Sequence, residues 1–413
     1  MASIGFAYLG WQALETAAFT LPADTQAILT QFAITALAGH LALRVACPEA
    51  PGQPYAVAMM LAAIGLIFVF RLAPEETQDQ ANWISLGTVL LVAGVVAGYR
   101  YEVLRRYKYT AALGALFLLF VTGLFGETIN GARLWIHVAG NSVQTTEFIK
   151  VGLVIFLAGY LADQASVLSM PRLRFGGRSY SALPYLVPLL VTWFAMIAAL
   201  ALLRDLGSVA LLLGLAAGAI YIATGRLRYL VWSVAILVLT GAAGYLLFDH
   251  AQVRIDTWLD PFESPQGAGF QTAQSTFAIQ AGGITGEGLG QGRPGVIPAA
   301  PTDYVYSAIA EELGLVGALA VVALFALLVV SGLRIALRSR DTFGAMLASC
   351  ISLLIGIQAL IIIGGNLRLI PTTGITLPLV SYGGSSIVVN LILLGLLLGI
   401  AQRSWRGERQ DQD

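Results

Sequence analysis

The chain has 413 residues, 57% hydrophobic and 11% charged, with a mean hydropathy of +0.79; soluble domains are roughly half apolar and a quarter charged. That excludes a soluble domain and leaves an integral membrane protein. The balance of 23 basic against 23 acidic residues gives no reason to expect nucleic acid, and the two cysteines, Cys47 and Cys350, support neither a disulfide nor a metal site.

A bilayer core takes about twenty apolar residues per helix. Such runs are expected near 26–46, 54–71, 82–99, 109–125, 148–163, 183–203, 208–223, 229–248, 313–333, 344–363 and 386–402. A weaker candidate at 4–20 carries Glu15 and lacks the small-residue cleavage site of a removable signal. No internal repeat or low-complexity tract divides the chain. The expected fold is an all-α integral membrane protein, a polytopic helical bundle. Residues 1–53 form one or two appended N-terminal membrane segments, 54–402 a ten-helix core with a large extracytoplasmic loop at about 249–303, and 403–413 a cytoplasmic tail.

Cytoplasmic loops retain Lys and Arg. With the C-terminus inside, alternation places Arg44, the cluster 100–108, the arginines of 172–178, Arg226, Arg228, those of 334–340 and those of 403–409 in the cytoplasm. Arg71, Arg133, Lys150, Arg204, Arg254, Arg293 and Arg368 face outward with the long loop.

The first constellation is NGARLWIHVAGNSVQTTEFIK, residues 130–150. Lys150 falls in the first turn of a helix expected from Thr146, where the dipole disfavours a cation. Glu147, three residues earlier on the same face, is one compensating partner; an external anion such as phosphate is the other, with Arg133 weighing slightly towards it. Asp205, in RDLGS, occupies a short outward turn between two apolar runs.

The long loop holds DTWLDPFESPQGAGFQTAQSTFAIQAGGITGEGLGQG, without strong periodicity; loops of that length are commonly lids, binding surfaces or disordered. Trp258, the phenylalanines and the paired Gln271 and Gln274 argue against disorder. Asp256, Asp260 and Glu263 cluster beside Trp258, and Asp260 precedes Pro261, which fixes the backbone. Position alone favours solvated or capping acids over catalytic ones. The glycines can form turns or admit backbone amides to a ligand.

DYVYSAIAEELG then sets Glu311 and Glu312 near a membrane boundary, where unpaired acids are costly and so become interhelical ties or functional groups. Finally RLIPTTGITLPLVSYGGSS, residues 368–386, is broken by Pro371 and Pro378. It is expected to dip into the membrane or cup its surface, with Ser385 or Ser386 capping the last helix.

Together these segments closely resemble the SEDS family (shape, elongation, division and sporulation proteins, typified by RodA and FtsW). The likeness runs in order from about residue 54 to 402. NGARLWI and QTTEFIK are similar to the family's NGARRWI and QPSE-x-x-K. GAGFQTAQSTFAIQAGGITGEGLGQG and TDYVYSAIAEELG resemble its long-loop signature, and PTTGITLPLVSYGGSS its C-terminal one. Departures are Leu134 for the second arginine, Thr145 and Thr146 for Pro-Ser, Leu203 and Arg204 for Gln-Pro before Asp205, Pro301 for a common histidine, and Ile362 and Arg368 at common Asn and Gly positions. They blur the choice between elongation and division branches, with a lean towards RodA.

The resemblance implies ten membrane helices in the bacterial cytoplasmic membrane and a peptidoglycan glycosyltransferase that polymerises lipid II beside a class B penicillin-binding transpeptidase. It places the catalytic aspartate at Asp260. Arg133, Lys150 and Glu147 are its motif residues, with Gln271, Ser385 and Ser386 as further substrate contacts and Asp205, Asp303, Glu311 and Glu312 as supporting groups.

A base that takes a proton from a sugar hydroxyl works best partly buried, above the reference value of about 3.9, and the two cations would stabilise charge on the departing diphosphate. One carboxylate, with no second acid at nucleophile distance, favours an inverting displacement. A divalent cation (Mg or Mn) would assist such chemistry, although no metal-ligand spacing demands one. Two other classes share the membrane architecture. A lipid II flippase would keep its function without Asp260, and an ion-coupled transporter needs acids near the midplane.

Overall fold

The computed structural model describes residues 1–16, 25–129, 132–138, 140–169, 173–175, 178–180, 187–264 and 266–410. Its helices are α1 (Ala2–Thr16), α2 (Thr25–Ala46), α3 (Gln53–Leu72), α4 (Thr77–Tyr99), α5 (Tyr101–Arg106), α6 (Lys108–Phe125), α7 (Thr145–Ser169), α8 (Val187–Leu202), α9 (Leu206–Thr224), α10 (Leu227–Leu247), α11 (Asp249–Leu259), α12 (Phe270–Gly282), α13 (Val305–Leu337), α14 (Thr342–Asn366) and α15 (Gly384–Gln410). Among the described residues ten of these, α2 to α4, α6, α7, α9, α10 and α13 to α15, are long and apolar enough to cross a membrane.

The other two expected runs form shorter helices. The 183–203 run is α8, 16 residues long, with 183–186 outside the described residues. The 4–20 run yields α1, 15 residues, with 17–20 likewise outside. At 1.5 Å per residue α1 reaches about 22 Å, less than the ~30 Å of a bilayer core.

The bundle is built around α3, α14 and α15, whose spans are the most buried. Close approach of α4 and α15 depends on missing side chains: a Cβ on Gly395 or Gly399 would collide with the α4 backbone, and one on Gly98 with that of α15. Small residues at such seams bring helices together where lipid supplies no hydrophobic drive. In contrast α10 is apolar and keeps a single buried residue, Gly244, as expected for a helix whose faces meet lipid.

Charge separates along the bundle. At one end Arg105 and Lys108 pair with Asp163 of α7, Arg403 pairs with Glu102, and Arg338 lies 4.8 Å over Trp405. At the other end Arg71 pairs with Glu312, and Arg133, Arg254 and Arg368 bind backbone carbonyls. The basic groups that charge counting assigned to opposite sides thus gather at opposite ends. Arg172 lies outside the described residues.

Two stretches outside the expected membrane runs are ordered elements. The segment after α6 folds into an antiparallel sheet of β1 (Glu127–Ile129), β2 (Ala132–Val138) and β3 (Asn141–Gln144), in the order β1-β2-β3 with Trp135 opposite Gln144. The Leu-Trp-Ile-His-Val run favours a strand, and Gly140 at φ +84° turns β2 back into β3. Asn130 and Gly131 lie outside the described residues. A second pair, β4 (Leu173–Phe175) and β5 (Arg178–Tyr180), lies antiparallel with Arg174 opposite Ser179. In the long loop, α11 and α12 replace the expected aperiodic chain; they pack across the end of the bundle and give the loop regular backbone bonding.

Candidate functional site

The loop is fastened to the bundle by α13. This helix begins at Val305, eight residues before the apolar run, so Glu311 and Glu312 sit on helical, buried positions. Glu312 Oε1 lies 2.9 Å from Arg71 Nε, its Oε2 accepts from the Gly290 amide at 3.0 Å, and Glu311 Oε1 accepts from the Arg293 amide at 2.7 Å. At Gly314, φ 65° and ψ −168° interrupt the helix. The amides of Leu315 and Val316 then bond Gly283 and Ile284 carbonyls. Both glutamates therefore act as ties between the helix and the glycine-rich turn.

Under α11 and α12 lies a polar cavity of about 150 Å³, walled by Val253, Arg254 and Thr257 of α11, Ala268, Gln271 and Thr272, Asp303 and Tyr304, the end of α14, and 372–375. Arg254 Nη1 donates to the carbonyl of Thr373 at 2.6 Å. Asn366 fixes the opposite wall: its Nδ2 donates to the Asp303 carbonyl at 2.9 Å, and its Oδ1 accepts from Ser307 N and Oγ at 3.1 and 2.9 Å. The Asp303 carboxyl is raised above the ordinary carboxylate range by burial, against the lowering effects of the Thr302 hydroxyl and Arg254.

Beside the cavity, a second buried network joins the 144–150 and 376–390 segments. Lys150 Nζ is 2.7 Å from Glu147 Oε1 and 3.0 Å from Gln358 Oε1. Gln358 Nε2 donates to the Thr376 carbonyl at 2.8 Å, the Thr376 hydroxyl to Ser386 Oγ at 2.8 Å, and Ser385 Oγ accepts from the Gln144 amide at 3.0 Å. With α7 starting at Thr145, Lys150 falls in the second turn, and Glu147 supplies the compensating charge. Ser385 and Ser386 join segments together, and both are buried.

The remaining sequence candidates stand apart. Arg133 is exposed, and its guanidinium donates to the carbonyls of Gly126 and Gly123 at 2.7 and 3.1 Å, closing the C-terminus of α6. It has no hydrogen-bond partner in common with Lys150. Asp205 caps α9, its Oδ1 accepting from the Ser208 amide at 2.9 Å. Asp260 ends α11 and is exposed, contrary to the partial burial expected of it. Its Oδ1 accepts from the Phe262 amide at 2.9 Å, an Asx turn that leads the carboxylate off the helix end. It does not line the cavity. The turn is held by Arg368, whose Nη2 donates to the Trp258 carbonyl at 3.1 Å while Trp258 Nε1 donates to the Arg368 carbonyl at 3.0 Å.

The structure thus brings Gln271 and Asp303 together and adds Arg254, Tyr304, Asn366 and Thr373, which sequence reading did not single out. The one signal for Arg254 was its place among the outward-facing cations, four residues before Trp258. Among the described residues no three His, Cys, Asp or Glu side chains converge as a metal cage.

A family model described as cell cycle protein, FtsW/RodA/SpoVE, matches residues 53–405. The peptidoglycan glycosyltransferase RodA of Mycobacterium tuberculosis is 36% identical over 380 residues, covering 89% of this chain and 81% of that protein. A probable peptidoglycan glycosyltransferase FtsW of Geobacter metallireducens is 34% identical over 366 residues, covering 84% and 93%. A chain from a solved peptidoglycan synthase complex, described as coordinating polymerization and crosslinking, aligns with a TM-score of 0.70 at 26% identity, over 86% of this chain and 98% of that one.

Proposed function

The chain belongs to the FtsW/RodA/SpoVE family of cell cycle proteins, and from that premise we propose that it is a peptidoglycan glycosyltransferase that polymerises lipid II. The observation that carries this reading is the polar cavity beneath the loop helices, where a carboxylate and a guanidinium face one concave space at the bundle end. Charge counting supports an outward face for that end and a cytoplasmic C-terminus, and the family supports the bacterial cytoplasmic membrane. The likeness to a synthase complex supports a crosslinking partner, a class B penicillin-binding transpeptidase, and the greater identity to RodA supports the elongation branch.

In the reaction, an acceptor sugar hydroxyl gives its proton to a carboxylate as its oxygen bonds the anomeric carbon. The bond from that carbon to the lipid diphosphate breaks, and the diphosphate leaves with the electron pair. One displacement inverts an α-linked donor to a β-linked glycan. The family pattern assigns the base to Asp260, which its Asx turn and the Arg368 clamp hold at the end of α11. A second reading has its own observation: Asp303 is the carboxylate that lines the cavity, its backbone fixed by the bond from Asn366 to the Asp303 carbonyl, where a general base could reach a bound hydroxyl. Lys150 and Arg133 remain the cations proposed for the diphosphate, although each is engaged within the protein, by Glu147 and by the α6 carbonyls.

Purified protein incubated with lipid II, alone and with a transpeptidase partner, should yield glycan polymer. No polymer under either condition would overturn the reading.

A further inference from the structure

We propose that the cavity between α11, α12 and 372–375 is a subsite for one uncharged pyranose ring of the substrate, and that the diphosphate binds elsewhere. This rests on the glycosyltransferase reading and concerns the part of the substrate that the site takes.

Size is the first argument. A cavity of about 150 Å³ holds roughly five waters and falls below the ~300–1,000 Å³ of pockets that enclose a whole ligand. It accommodates a fragment, on the scale of a single ring.

Charge is the second. Arg254 and Asp303 reach the same spot: a Cβ on Gly374 would lie 3.2 Å from Arg254 Nη2 and 3.6 Å from Asp303 Oδ2. With one guanidinium and one carboxylate there, the site offers no net charge to an anion. A diphosphate seated beside Arg254 would meet the Asp303 carboxylate, and like charges so placed are disfavoured.

Donor geometry is the third. Arg254 Nη1 is spent on the Thr373 carbonyl at 2.6 Å and the Thr372 carbonyl at 3.4 Å. The guanidinium therefore cannot present its full fork to a phosphate, the arrangement that makes arginine a strong phosphate ligand. Its Nη2 side remains directed to Gly374, suited to one neutral acceptor. A pyranose offers what the walls complement. Its hydroxyls can donate to Asp303, an acyl or hydroxyl oxygen can accept from Arg254, Gln271 can do either, and the C–H face can rest on Ile361 and Ile375. Gly374, at φ +70°, keeps the floor open.

The test uses the full-length protein in detergent micelles and saturation-transfer NMR, with a free N-acetylglucosamine disaccharide as probe and inorganic pyrophosphate as competitor. Two variants are compared: Asp303→Asn, which keeps side-chain size, and Ala268→Trp, which fills the mouth from an exposed loop position without disturbing buried packing. The wild type should bind the saccharide, both variants should bind it about tenfold more weakly, as for loss of a hydrogen bond to a charged group, and pyrophosphate should not displace it. Displacement by pyrophosphate, or unchanged binding in both variants, overturns the proposal. Polymerisation of lipid II is measured on the same preparations, alone and with a transpeptidase partner. Polymer with saccharide binding that ignores both variants rejects the subsite and keeps the enzyme; saccharide binding through Asp303 with no polymer rejects the enzyme and keeps the subsite.

Discussion

Lys150 Nζ stands 2.7 Å from Glu147 Oε1, and both side chains are 3% exposed. Sequence reading left this lysine between an internal ion pair and a site for an external anion; in the structure Glu147 compensates it. Gln358 adds a bond from α14, so that one cation joins α7 to the helix whose far end walls the cavity.

Lys150→Ala should therefore cost stability, because it strands the Glu147 carboxylate in the bundle. Breaking one partner of a buried pair typically costs about 3–5 kcal/mol, whereas replacing both by apolar residues is often near neutral. The double variant Lys150→Met/Glu147→Leu should melt closer to wild type than Lys150→Ala. If Lys150→Ala melts normally and instead loses lipid II binding, the pair is not a tie and the lysine serves the substrate.

Asp260→Asn and Asp303→Asn distinguish the two candidate bases. Loss of the base should lower polymerisation by about 10²–10⁴-fold; Asp260→Asn should leave lipid II binding little changed, whereas Asp303→Asn should also weaken binding of the sugar. The family pattern predicts that loss for Asp260→Asn. Near wild-type turnover by that variant, with the loss in Asp303→Asn, would move the base into the cavity.

Burial holds the Asp303 carboxyl above the ordinary carboxylate range. Such a group binds its proton more tightly in the folded state than in the unfolded chain. Wild-type stability therefore falls as pH rises from the unfolded value of about 3.9 through the folded one, and the deficit persists above it. Asp303→Asn does not titrate. Its melting temperature relative to wild type should rise across that window and then level off; a pH-independent difference would contradict the burial effect.

A transpeptidase partner inactivated at its own catalytic residue should still stimulate polymerisation, because the proposed carboxylates and cations all belong to this chain. The measurement is polymer length and yield with active and inactive partner at equal complex formation. Stimulation that disappears with the inactive partner would mean that crosslinking chemistry itself drives polymerisation.

Hydropathy was enough to find the membrane runs because a bilayer demands about twenty apolar residues wherever a helix crosses, whatever the helix touches. It misjudged α13, whose first eight residues end in Glu311 and Glu312: paired acids shorten an apolar run without shortening a helix. It also says nothing of the sheet at 127–144. Strands of three to seven residues depend on cross-strand partners that no local window contains.

The segments that carry the resemblance were legible as segments, yet their side chains were not. Which face of α11 turns inward separates Arg254, in the cavity, from Asp260, at the exposed helix end, although six positions part them. The sequence by itself determined the membrane class, the family, the helical runs and the sorting of charge to two ends, since each follows from composition or from order along the chain. Only the tertiary structure decided that Lys150 is neutralised by Glu147, that Arg133 closes α6, and that Asp303 meets Arg254 over Gly374. Those outcomes depend on contacts between segments distant in sequence, and burial and charge energies are set by that packing.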